Sequence, residues 1–142
     1  IDTALVQQKS MPKPMRTGVA AMVAGARERI EQVDAGDAIA MLDNPDVLIV
    51  DLRDIRERQR EGYIPDSFHC PRGMVEFWVD PASPYYKEVF GRDVKFVFHC
   101  ASGWRSALTV ATLGDMGMEN VAHITDGFTS WRDAGGPVER PE

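Results

Sequence analysis

Residues 94–113 read VKFVFHCASGWRSALTVATL. The run from Val94 to His99 is apolar and rich in β-branched and aromatic residues, the pattern of a strand covered on both faces. A short loop of small residues follows, and from Arg105 the residues favour helix, so the stretch predicts a strand, a turn and a helix. Cys100 stands where the strand stops, with Gly103 and Arg105 within the next turn.

The same alternation recurs on either side. VAAMVAGARERI, from Val19 to Ile30, predicts an amphipathic helix with Val19, Met22, Val23 and Ala26 on one face. RIEQV predicts a short strand, and DAGDAIAMLDN a helix capped by Asp34. DVLIVDL is a second buried strand, ending near Asp51 and Arg53, and DIRERQREGY a charged helix with a solvated face. SFHC predicts a brief strand, RGMVEFWV a helix that buries Met74, Phe77 and Trp78, and SPYYKEVF a further helical turn. After the 100–117 segment come the strand NVAHI and the closing helix GFTSWRDAGGP. Alternating strands and helices give an α/β fold, an open and mostly parallel sheet of about five strands flanked by helices. Residues 1–18, with Pro12 and Pro14, are expected to form an extended arm, and residues 19–142 one domain.

Composition narrows the function. The formal net charge of −6 repels phosphate backbones and anionic lipid, so neither nucleic acid nor a membrane is the expected partner. No apolar run approaches the roughly 20 residues of a spanning helix. Two cysteines, without CxxC or Cys/His spacing, fit neither a disulfide scaffold nor a zinc site, so no metal or cofactor is expected. A reducing, cytoplasmic setting follows as the expectation, although a chain that opens at Ile1 leaves room for a removed leader.

In an open parallel sheet, ligands gather beyond the carboxyl ends of the strands, where this reading puts Asp51, Cys70 and Cys100. The amides of a helix beginning near Arg105 face back toward the loop and make an anion site. If Ala101, Ser102, Gly103 and Trp104 also turn their N–H groups inward, the Cys100 sulfur sits in a backbone nest. Gly103 suits such a curl because glycine accepts a positive φ. A helix terminus alone contributes about 0.3–1 kcal/mol, too little to hold a thiolate at neutrality; direct N–H contacts and the nearby Arg105 must add to it.

The loop CASGWRS resembles the active-site loop of rhodanese-type sulfurtransferases. VLIVDLRD resembles that family's strand ending in Asp-x-Arg, EGYIPDSFHCPRG its Gly-His-Ile-Pro-Gly-Ala segment, and ITDGFTSWRDAGGPV its Gly-Gly-x-x-x-Trp helix. Tyr63 and Asp66 depart from the family pattern, standing where histidine and glycine are usual. The resemblance implies transfer of sulfane sulfur from a thiosulfate- or persulfide-type donor to a thiol or cyanide, by way of a persulfide on Cys100. Residues 101–105 would form the substrate-binding loop. Arg105, with the hydroxyl of Ser102 or Ser106, would steady the loop or the donor, and Asp51 and Arg53 would brace it. The partners implied are a small sulfur donor and a thiol acceptor, which a carrier protein could present.

Other residues carry weaker signals. Trp104 reads either as a wall of the entrance or as surface packing. Alternation along the strand turns His99 away from whatever Cys100 faces, a core role. His69 and His123 read as structural, and Cys70 as a buried filler rather than a resolving thiol. Two rival readings remain beside sulfur transfer: a cysteine phosphatase of related fold, and a docking module without catalysis. The phosphatase loop has five residues between Cys and Arg, whereas four separate Cys100 from Arg105.

Overall fold

The computed structural model describes residues 11–142. Residues 11–18 carry neither helix nor strand and are exposed; the rest of the expected arm, 1–10, lies outside the described residues. Then follow α1 (Val19–Glu28), β1 (Glu31–Val33), α2 (Ala35–Ala40), β2 (Val47–Asp51), α3 (Ile55–Glu61) and β3 (Phe68–His69). A 3-10 turn, Arg72–Met74, leads into α4 (Val75–Val79), and a second, Glu88–Gly91, precedes β4 (Lys95–His99). The chain closes with α5 (Trp104–Asp115), β5 (Val121–Ile124) and α6 (Gly127–Asp133).

All five strands are parallel, in the order β1-β5-β4-β2-β3. The chain leaves β2 toward one edge for β3 and returns on the other side for β4, so the strand order reverses between β2 and β4. That is where open α/β sheets bind ligands. Asp51 pairs with His99 in register, which puts Cys100 one residue beyond the end of β4.

Alternation along β4 divides the core. Phe96, Phe98 and Cys100 face a cluster with Val50, Leu52, Val110 and Leu113, while Val97 packs on the opposite face with Ile49, Phe128 and Trp131. Helix α1 lays Val23 and Ala26 against Ala107 and Ala111 of α5, small residues that let the two helices approach closely. Local signals explain the helix starts: Asp34 accepts from the Asp37 amide, and Asp54 with Glu57 makes a reciprocal capping box on α3.

Three details differ from the sequence reading. Val19 and Met22, expected on the buried face of α1, are about half exposed; Val23 and Ala26 are the α1 residues buried against α5. Phe77, expected in the core, is 51% exposed and meets Tyr85 edge-to-face; Val75 and Val79 are buried in its place. Arg72–Met74 winds as 3-10, which shifts the inward face of α4 by a residue. No described helix is long and apolar enough to cross a membrane.

Candidate active site

Cys100 is 1% exposed. Its sulfur lies against the apolar cluster on one side and against two polar groups on the other: the Gly103 amide donates to Sγ at 3.1 Å, and Ser106 Oγ stands 3.6 Å away. The nest anticipated from the sequence is therefore narrower than expected. One loop amide, that of Gly103, is within hydrogen-bond distance of the sulfur.

The loop is held by its backbone. Gly103 caps α5 at φ 99°, and a Cβ there would collide with the Thr125 carbonyl. Gly127, at φ 67°, lets the start of α6 press on the loop, and the Phe128 and Thr129 amides donate to the Cys100 and Ala101 carbonyls at 2.8 and 3.1 Å. A side chain at either position would push these backbones apart. Gly127 is a site residue that the sequence reading missed, although the Asp-Gly pair at a strand end was a signal for it.

The remaining loop residues separate by role. Ser102 is exposed, Ala101 half-buried, and Trp104 46% exposed beside the loop. Of the two serines, Ser106 is the one that faces the sulfur. Arg105 turns to α3, where its fork donates to both carboxylate oxygens of Glu57 at 2.8 and 3.0 Å. The pairing raises Arg105 above its ordinary value and lowers Glu57. Glu57 came from a segment read as a solvated charged face; spacing within α3 gave no sign that it would meet a residue 48 positions away.

Asp51 and Arg53 form a fully buried, ion-paired brace at the end of β2. Arg53 donates through Nε and Nη2 to the two Asp51 oxygens at 3.1 and 2.9 Å, and through Nη2 to the Gly62 carbonyl at 2.8 Å. Its guanidinium also lies 4.0 Å over the Phe128 ring. Arg58 of α3 adds a bond to Asp51 at 2.9 Å. Burial opposes ionisation of Asp51, but the electrostatic interaction with His99 together with the Arg53 hydrogen bonds and charge outweighs it and holds the carboxyl well below the usual range. Neither residue touches the sulfur among the recorded contacts; the Leu52 amide donates to the His99 carbonyl at 2.9 Å, tying this brace to the end of β4.

The histidines divide as well. His99 faces away from Cys100, fully buried, with Nδ1 3.2 Å from the Cys100 carbonyl, and burial pushes it below its ordinary value. His69 meets the Arg53 carbonyl through Nε2 at 2.6 Å. His123, read as structural, instead meets Ser106 Oγ at 2.7 Å through Nδ1 and so adjoins the site. Burial pushes the Cys70 thiol up to about 12, in keeping with a filler rather than a resolving thiol.

A family of rhodanese-like domains matches residues 34–134. Among curated relatives, the mouse thiosulfate sulfurtransferase/rhodanese-like domain-containing protein 3 is 25% identical over 97 residues, 65% of this chain and 62% of that protein. A tRNA uridine(34) hydroxylase from Cronobacter sakazakii is 28% identical over 112 residues, 76% of this chain but 31% of that protein. The chain thus spans less than two-thirds of either relative. Among solved structures, a Rhodopseudomonas palustris protein of unknown function, a possible tyrosine phosphatase, superposes with a TM-score of 0.87 at 54% identity, covering 92% of this chain and all of that one. A rhodanese-related protein from Thermoplasma volcanium superposes with a TM-score of 0.64 at 25% identity, covering 78% and 99%.

Proposed function

The chain belongs to the family of rhodanese-like domains, and from that premise we propose that it is a sulfurtransferase working through a persulfide on Cys100. The observation that carries this reading is the sulfur at the start of α5, accepting the Gly103 N–H at 3.1 Å. An amide donor stabilises negative charge on sulfur, and negative charge is what both the attacking thiolate and the loaded persulfide carry.

In the loading step the Cys100 thiolate attacks the outer sulfur of the donor. A Cys100–S bond forms, the donor's own S–S bond breaks, and its electron pair leaves with the donor thiolate, or with sulfite if the donor is thiosulfate. In the unloading step an acceptor thiolate or cyanide attacks the outer sulfur, and the electron pair returns to Cys100. Gly103 would bind the charged sulfur, Asp51 and Arg53 would brace the loop, and Trp104 would flank the entrance. The free cysteines suit a reducing, cytoplasmic setting.

Two observations favour a persulfide of a thiol over thiosulfate as donor. The chain carries a net charge of −6, and Arg105, the one cation of the loop, is already neutralised by Glu57. A dianion finds little free positive charge here.

The phosphatase reading has one specific support, the 54% identical Rhodopseudomonas palustris structure of a possible tyrosine phosphatase. Against it stand the four-residue spacing from Cys100 to Arg105 and the pairing of Arg105 Nη1 and Nη2 with Glu57, a carboxylate that a phosphate dianion would have to displace from the fork. Sulfur transfer to cyanide and aryl phosphate hydrolysis, measured side by side, separate the two. We expect thiocyanate formation that Cys100→Ser abolishes; phosphate release dependent on Cys100, without thiocyanate, would overturn the proposal.

A further inference from the structure

Behind the Cys100 sulfur, polar atoms from three elements stand in line. Sγ lies 3.6 Å from Ser106 Oγ of α5, Ser106 Oγ 2.7 Å from His123 Nδ1 of β5, and His123 Nε2 2.9 Å from Gln32 Oε1 of β1. Ser106 and His123 are fully buried, whereas Gln32 lies at the exposed edge of the sheet.

The far end indicates the direction of donation. The Gln32 amide nitrogen points to the Arg27 carbonyl at 3.5 Å, an atom that only accepts, so the Gln32 oxygen faces His123 and takes its Nε2–H. A neutral imidazole protonated at Nε2 has a bare Nδ1. Ser106 then gives its hydroxyl proton to Nδ1 and shows the sulfur only lone pairs. Burial, helped by the Arg27 charge, pushes His123 down to about 4, which keeps the ring neutral over the physiological range.

We propose that Gln32, His123 and Ser106 form a hydroxyl lock, positioning residues that turn the Ser106 proton away from Cys100 and thereby restrain ionisation of the thiol. The lock deepens the sulfurtransfer reading, on which it rests for its purpose. Gly103 and the lock act in opposite senses on the same atom: the amide favours negative sulfur, the oriented hydroxyl favours S–H. The charged and titratable groups around them are few. Arg27 of α1 and Asp126 before α6 face His123, Arg105 of α5 lies near Cys100 with its charge met by Glu57, and His99 turns to the Cys100 carbonyl.

The test is the rate of Cys100 alkylation by iodoacetamide from about pH 5 to about pH 8, with no sulfur donor present. Gln32→Leu, at an exposed position, lets His123 take the other tautomer, so that Nδ1–H donates to Ser106 and the hydroxyl proton swings to the sulfur. The expected result is a profile moved to the acid side by about half to one pH unit, with alkylation at about pH 6 roughly three- to tenfold faster. In a Ser106→Ala background the same Gln32→Leu change should move nothing. A profile that stays in place, one that moves to the alkaline side, or an acid shift that persists without Ser106 would each overturn the lock. Because alkylation needs no sulfur donor, a wild-type protein that loads no sulfur yet shows the Ser106-dependent shift keeps the lock and loses the sulfurtransfer reading. A protein that loads sulfur but shows no shift does the reverse.

Discussion

Replacing Arg53 with methionine should be among the most damaging single changes in the protein. The side chain is fully buried, donates twice to Asp51 and once to the Gly62 carbonyl, and lies over Phe128. Methionine fills much of the volume but leaves a buried carboxylate held by Arg58 and the backbone N–H of residue 53, and strands the Gly62 carbonyl. Removing one partner of a buried ion pair costs about 3–5 kcal/mol, a large share of the roughly 5–15 kcal/mol that holds a domain together. The corresponding fall in melting temperature is roughly 10–15 °C for a chain of this size. Urea unfolding of wild type, Arg53→Met, Asp51→Asn and the double variant closes a mutant cycle. The double variant should recover much of the loss, because the uncompensated charge is gone. Acid sensitivity gives a second reading of the same pair. The Asp51 carboxyl is held low in the folded state, so its contribution is complete above the unfolded value near about 3.9 and disappears as the pH falls further. Arg53→Met should flatten that acid limb. A loss under about 1 kcal/mol, the scale of an exposed pair, together with simple additivity in the cycle, would refute the brace.

Gly103→Ala forces a Cβ onto the Thr125 carbonyl at a positive φ, so stability measured in urea should drop by at least about 2 kcal/mol, and alkylation of Cys100 should change with it. Asp66 occupies a left-handed conformation at φ 61° where the family it resembles has glycine; Asp66→Gly should therefore stabilise by about 0.5 kcal/mol, read as a raised urea midpoint. His123, neutral and buried with its value lowered to about 4, takes up a proton more readily when unfolded. Stability should hold above about pH 6.5 and decline from there toward pH 4, with a shallower slope in His123→Asn by calorimetry across that range.

The fold was legible because its signals are local. VLIVD and KFVFH are short apolar runs that a covered parallel strand requires, and Asp34, Gly103 and Gly117 mark helix ends by their own chemistry. Cys100 was legible for the same reason, since strand end, glycine and helix start fall within a few residues. What escaped the sequence depends on contacts between distant segments. Glu57 meets Arg105, Arg58 meets Asp51 from a helix that looked merely charged, and Gln32 reaches His123 from 91 residues away. Phe77 shows the converse failure: its hydrophobicity suggested burial, but the 3-10 turn before α4 rotated Val75 and Val79 inward instead.

Intact-mass spectrometry after brief exposure to a small-thiol persulfide bears most directly on what Cys100 does. The wild-type protein should gain one sulfur atom, lose it to added thiol, and show no gain as Cys100→Ser, while Cys70→Ser behaves as wild type. A wild-type mass unchanged by every persulfide donor offered, or an adduct that survives in Cys100→Ser, would contradict the assignment of sulfur transfer to this thiol.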